Sequence, residues 1–210
     1  MNAMVERLLE QPIVYRWWMA PFAEQKLRPV QANGGVHQIR RVLDVGCGPG
    51  TNAGHFAHTD YLGVDINPRY IESARQRHPG KFMVADVTTF EAKAGERFDS
   101  IIVNSLLHHI ATPEVERLLG HLETLLTDDG AIHIMELVLP PHLSATWALA
   151  KLDRGDYARP FAEWQRILSS CFEPVRCDPY SIKALGIPLW DMIYFKGRRR
   201  SNGEALHASR

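Results

Sequence analysis

Val42-Leu43-Asp44-Val45-Gly46-Cys47-Gly48-Pro49-Gly50 is an apolar run that passes directly into a turn holding three alternating glycines. Glycine adopts positive φ without strain and carries no Cβ, so such a turn lets backbone press against a bulky ligand. Gly46, Gly48 and Gly50 are therefore read as a ligand-contacting surface, and Asp44 as a carboxylate at the strand's carboxyl end that suits a cationic ligand. The last glycine of a G-x-G-x-x-G phosphate turn is replaced by Thr51, which weakens a pyrophosphate reading.

Outward from this turn, short β-branched runs alternate with amphipathic stretches, the pattern of strands joined by crossover helices. Strands are predicted at Arg41 to Val45, Tyr61 to Asp65, Lys81 to Ala85, Asp99 to Asn104 and Ala131 to Val138. Asn67-Pro68 and Thr112-Pro113 each offer an N-cap followed by a proline at the first helical position. Two further strands, Pro174 to Tyr180 and Met192 to Phe195, are separated by a proline-containing bend and suit an antiparallel hairpin closing the sheet. The expectation is an α/β fold with a mostly parallel sheet of seven strands in a single domain over residues 1–210. Its first 35 residues form a helical cap or lid, interrupted by Pro12 and Pro21, and residues 140–160 form an insertion over the strand ends. The segment Lys196 to Arg200 reads as a solvated basic tail.

A ligand at the first turn of such a sheet extends across neighbouring strand ends. The second strand ends in Asp65, about 20 residues past the glycine turn, where an acid accepts hydrogen bonds from a ribose diol. The third ends in Asp86-Val87, whose carboxylate can accept from an exocyclic amine, with Ile66 covering the ring face. The fourth ends in Asn104, an amide suited to the polar end of a ligand lying over the glycines. Taken singly each acid is an ordinary turn residue; four successive strand ends in register are not.

The motifs VLDVGCGPG, GVDINP, VAD, FDSIIVNSLLHHI and LLTDDGAIHIMEL, spread over Arg41 to Val138, resemble those of class I methyltransferases that use S-adenosylmethionine. The resemblance implies a Rossmann-like sheet with helices on both faces. It places Asp44, Gly46, Gly48 and Gly50 at the methionine moiety, Asp65 at the ribose, Asp86 and Val87 at the adenine, and Asn104 at the amino-acid end. It also puts Tyr15 where related proteins close the cofactor with an aromatic side chain. The implied reaction is an in-line displacement that leaves S-adenosylhomocysteine. Its leaving group needs no acid, so positioning and desolvation are the protein's main tasks, and a base is needed only for a protonated nucleophile.

His109 and His108, just after the fourth strand, are the base candidates, although adjacent side chains cannot both face one way. One of the pair can equally hydrogen-bond a loop while the other is exposed. Glu136 comes next, with Trp147 and Tyr157 shaping the substrate pocket. Asn104-Ser105-Leu106-Leu107 lacks the N-P-P-Y sequence of enzymes that methylate nucleobase or amide nitrogens. No metal is expected, since Asp128 and Asp129 fall in the turn before the fifth strand. A small-molecule acceptor methylated on oxygen is the favoured reading. The alternatives are an inactive cofactor-binding or partner-stabilising module, a methyltransferase acting on RNA or protein, and an NAD-dependent oxidoreductase on a related sheet.

Composition sets the outer bounds. The 24 Lys and Arg balance the 24 Asp and Glu, so no overall field attracts nucleic acid. Cys47, Cys171 and Cys177 lack metal-ligand spacing, and no signal sequence opens the chain, so a cytoplasmic protein with free thiols is expected. No apolar run approaches the length of a membrane span. The aromatic N-terminal segment, with Trp17 and Trp18, could also pack against a second copy in a homodimer.

Overall fold

The computed structural model describes residues 12–33, 39–92, 95–152 and 155–200, with side chains from Phe22 onward. Seven strands form one sheet: β1 (Arg41–Val45), β2 (Asp60–Asp65), β3 (Lys81–Val84), β4 (Phe98–Asn104), β5 (Leu126–Leu137), β6 (Glu173–Ala184) and β7 (Ile187–Arg198). Their order is β3-β2-β1-β4-β5-β7-β6. The first five are parallel, while β7 runs antiparallel between β5 and β6. The strand order reverses between β1 and β4, so the crevice at their carboxyl ends is where this topology binds ligands.

Alternation along the strands divides the core between two helical layers. Leu43, Val45, Ile101, Val103, Ile132 and Ile134 point to one face. There they meet Val115, Leu118, Leu119 and Leu122 of α3 (Thr112–Thr124) and Trp164, Ile167 and Leu168 of α5 (Phe161–Cys171). Val42, Ile102, Met135 and Tyr194 point to the other face. They meet Leu27 and Val30 of α1 (Pro12–Ala32) and Ile71 and Ala74 of α2 (Pro68–Arg77). A remaining helix, α4 (Ala145–Leu152), lies in the predicted insertion and packs on β7 through Ala150, Trp190 and Met192.

Several local expectations are corrected. Over the described residues the first helix is continuous from Pro12 to Ala32, so Pro21 removes one backbone donor without ending it. Thr112 does not cap α3, which starts from Ala111 with no side-chain cap, because the Thr112 hydroxyl accepts from Arg159 instead. Strand β5 begins at Leu126 rather than Ala131. The register jumps from Phe98 opposite Leu126 to Ser100 opposite Ala131, so Asp128 and Asp129 sit on a bulged excursion at the amino edge of the sheet. The basic tail is partly strand, since β7 pairs through Arg198 with Ala131 and Glu173. Asn67 does cap α2, its side chain accepting from the Arg69 amide at 3.0 Å.

Candidate active site

Asp44, in the middle of the sheet opposite Gly63 and Ile102, is fully buried. Its Oδ2 accepts from the Tyr61 hydroxyl at 2.6 Å and from Asn52 Nδ2 at 3.2 Å, while its Oδ1 is buried with no hydrogen-bond partner. Burial raises the carboxyl to about 6, against the opposing pull of the Tyr61 and Asn52 hydrogen bonds. A buried acceptor of this kind is costly unless a ligand donor reaches it.

The glycine turn lies directly above. Gly46, Gly48 and Gly50 have φ of 69°, 56° and 81°, a region L-residues with a Cβ avoid. A Cβ on Gly46 would also stand 3.0 Å from Leu106 Cδ1. Beneath the turn, Gly63 leaves room for Cys47, whose Sγ would lie 2.8 Å from a Cβ there. Asp65 fastens the turn to the second strand end: its Oδ2 accepts from the Gly48 amide and its Oδ1 from the Asn67 amide, both at 2.8 Å. Burial raises its pKa, partly offset by those two amides. Asp86 is exposed and held in a turn by Thr88, whose amide and hydroxyl donate to Oδ1 at 2.9 and 2.7 Å and lower its pKa. Ile66 beside it is 68% exposed, an apolar surface that a flat ring would cover. Val87 is half-buried against the core.

At the fourth strand end Asn104 Nδ2 donates to Asn52 Oδ1 at 3.4 Å, and its Oδ1 accepts from Ser105 at 3.2 Å. Ser105 in turn accepts from Lys26 Nζ at 2.7 Å. Lys26 was missed from the sequence. It is 6% exposed and lines the cleft with Ala23, Gly46, Cys47, Thr51, Asn52 and Asn104. Its signal was its place on the i, i+4 stripe Phe22-Lys26-Val30, where a charge has no reason to sit unless it faces something.

The two histidines part ways. His108 is buried, its Nδ1 donating to Glu136 Oε1, whereas His109 is exposed with its ring 4.1 Å from that of His108. Glu136 also accepts from the Leu106 and Leu107 amides at 3.1 and 2.7 Å and from the Leu137 amide at 2.8 Å. Burial raises its pKa, but the His108 contact and the amides outweigh burial and hold it below the usual range. Arg159, a second residue missed from the sequence, closes the knot. Its guanidinium donates to the Leu107, Tyr157 and Ile110 carbonyls and to Thr112 Oγ1, and stacks 4.6 Å over Trp164. The histidine loop is thus held from below by Glu136 and from the side by Arg159.

The comparisons agree with this geometry. Residues 42–130 match the methyltransferase domain family. A trans-aconitate 2-methyltransferase of Methylobacterium radiotolerans is 30% identical over 147 residues, covering 61% of this chain and 55% of that protein. An uncharacterized methyltransferase of Mycobacterium tuberculosis is 34% identical over 114 residues, covering 51% of this chain and 56% of that one. Among solved structures, the N-methyltransferase NodS from Bradyrhizobium japonicum, in complex with S-adenosyl-L-homocysteine, superposes with a TM-score of 0.69. The match spans 95% of this chain and 98% of that one at 20% identity. Together these likenesses support a class I S-adenosylmethionine-dependent methyltransferase, with the family match lying in residues 42–130. The chain spans about half the length of the curated relatives it matches.

Phe22 of α1 meets Trp190 of β7 edge-on with ring centroids 5.3 Å apart, and partly buried Leu139 and Leu149 pack on the same apolar cluster. Trp147 is half-buried on α4, its amide capped by Ser144 at 3.0 Å, and Tyr157 is 44% exposed under the Arg159 guanidinium. The Tyr15 side chain lies outside the described residues. Among the described residues no helix is long and apolar enough to cross a membrane.

Proposed function

We propose that this chain transfers a methyl group from S-adenosylmethionine to a small organic acceptor, with oxygen favoured as the accepting atom and without a metal ion. The observation that carries this reading is the unpartnered, buried Asp44 oxygen beneath a turn of three positive-φ glycines. That oxygen asks for a cationic donor, and the turn accommodates a bulky one. When bound, the cofactor supplies an electrophilic methyl on a sulfonium that leaves as a neutral thioether.

The chain's own residues do the rest. Asp44 receives the ammonium, and the Lys26 ammonium beside Asn104 receives the carboxylate of the same amino-acid end. Asp65 keeps a second lone pair on each oxygen for the ribose hydroxyls while still holding the turn. Ile66 and Val87 cover the base, whose amine donates to Asp86. Phe22, Trp147, Tyr157 and Trp190 exclude water from the acceptor's side and hold it in line. Glu136 and His108 fix the loop so that exposed His109 can take a proton from a hydroxyl acceptor. Oxygen is favoured because a sequence relative is named for trans-aconitate, a carboxylate, and because the loop after β4 lacks the sequence of nitrogen methylators.

The test is calorimetric titration with S-adenosylmethionine, S-adenosylhomocysteine and NAD, followed by a methyl-transfer screen over hydroxyl, carboxylate and amine acceptors. Binding of both adenosyl ligands but not NAD, with both weakened in Asp44→Asn, is expected. In turnover, His109→Ala should lower kcat on a hydroxyl acceptor by about 10²-fold while cofactor affinity holds. Cofactor binding with no transfer to any acceptor would instead favour a binding module.

A further inference from the structure

The amino ends of β4 and β5 and the carboxyl end of antiparallel β7 carry a second recess, on the opposite edge of the sheet from the glycine turn. It has a volume of about 390 Å³, within the size range of small-molecule pockets. Ser100, Ala131, His133, Lys196 and Arg198 line it, and strand pairing explains why. Ser100 lies opposite Ala131, Ala131 opposite Arg198 and His133 opposite Lys196, so their side chains share one face. Higher on that face α1 covers Ile102, Met135 and Tyr194 with Leu27 and Val30. Below the helix the same strands turn polar.

Two features mark the recess as built for a ligand. Ser100 is 1% exposed, and its hydroxyl has no hydrogen-bond partner. His133 is 2% exposed, and its Nδ1 lies 3.0 Å from the Tyr194 hydroxyl. Burial holds His133 neutral, at about 3, so one ring nitrogen carries the proton; in the tautomer that accepts the Tyr194 hydroxyl at Nδ1, that proton is on Nε2. Around these two neutral donors stand Arg40, Lys196 and Arg198, and none of the three makes an ion pair with a described residue. The acids at the rim are Asp99, which accepts from the Arg40 and Arg41 amides at 2.9 and 3.0 Å, and Asp129 on the bulge.

We propose that this recess is a second binding site, for a small oxyanion of the carboxylate or phosphate class, held by the Ser100 hydroxyl and His133 Nε2 and clamped by Lys196, Arg198 and Arg40. Ser100 and His133 offer donors on its floor, and at its mouth the three cations Arg40, Lys196 and Arg198 outnumber the two acids Asp99 and Asp129. A neutral or cationic ligand would leave those donors unmatched, whereas an oxyanion satisfies them with charge-assisted hydrogen bonds. Ser100 is four strand residues from Asn104, about 13 Å away, so the site is separate from the cofactor cleft.

The test is NMR titration of the full chain with inorganic phosphate and, separately, with citrate, at constant ionic strength so that screening does not change. The expected result is saturable shifts at the Ser100, Ala131, His133 and Lys196 amides, undisturbed by saturating S-adenosylhomocysteine. Lys196→Met and Arg198→Gln, both on partly exposed strand positions, should each weaken binding about tenfold. Ser100→Ala should weaken it by a smaller factor with unchanged thermal stability. A stronger response to phosphate than to citrate, or the reverse, identifies the ligand's chemistry. No saturable shift with either probe, shifts displaced by S-adenosylhomocysteine, or affinity unchanged in the two cation variants would overturn the proposal.

Discussion

Asp44 and Glu136 are both completely buried near the carboxyl ends of β1 and β5, the parallel strands that flank β4, yet their carboxyls move in opposite directions. Asp44 has neutral donors on one oxygen and nothing on the other, so desolvation dominates and its pKa rises to about 6. Glu136 has three amides and a histidine on its two oxygens, so its ionised form is held despite burial. Burial sets the cost of a charge; the count and kind of donors decide whether it is borne. One acid is finished by the fold, and the other awaits a donor from outside.

The largest expected effect tests the finished acid. Glu136→Ala strands three amides and His108, and urea unfolding should show a loss of about 3–5 kcal/mol. Because the folded pKa lies below the ordinary 4.5, this contribution is complete above pH 4.5 and lost as pH falls through the folded value. The gap between wild type and variant should therefore close in acid.

Asp44→Asn should do the reverse. A carboxyl raised from 3.8 to about 6 makes the folded state hold a proton that the unfolded chain releases, so its stability falls as pH rises from about 4 to 6. Removing the charge should stabilise the apo protein by as much as about 3 kcal/mol at pH 7, with no gain below pH 4. Thermal melts across that range check the sign. The same variant should bind S-adenosylmethionine at least about tenfold more weakly, since a charge-assisted bond is lost. Equal stability of the two proteins at pH 4 and pH 7 would break the comparison.

A smaller effect separates the acid from the turn above it. Gly63→Ala puts a methyl against Cys47 and Phe82, at 2.8 and 2.9 Å, and should cost about 1–3 kcal/mol while weakening cofactor binding. The pH profile should still keep the Asp44 slope. The smallest concerns the exposed acid. Thr88→Ala removes one donor from Asp86 and should change stability by less than about 0.5 kcal/mol, visible mainly as an upward drift of the Asp86 titration by NMR.

Much of this was legible in the chain. The glycine turn, Asp44, Asp65, Asp86 and Asn104 are fixed by strand ends, and strand ends follow from local alternation and punctuation. The C-terminal hairpin was visible for the same reason, although its strands run longer than the apolar pattern that revealed them. Lys26, Arg159 and the Glu136-His108 pair were not legible in their roles. Arg159 donates to partners 47 to 52 residues away, and Glu136 reaches back 28 to 30. Contacts at such separation leave no periodic trace.

The sequence by itself determined most of the secondary elements, the parallel character of the first strands and the row of polar residues along their carboxyl ends, because these depend on neighbours a few positions apart. Only the tertiary structure decided which histidine is buried, which acid is satisfied, and that the apparent basic tail is strand lining a recess with Ser100 and His133. Those outcomes depend on donors and charges that meet through the sheet and the helices packed on it, and burial multiplies the energy of each such meeting.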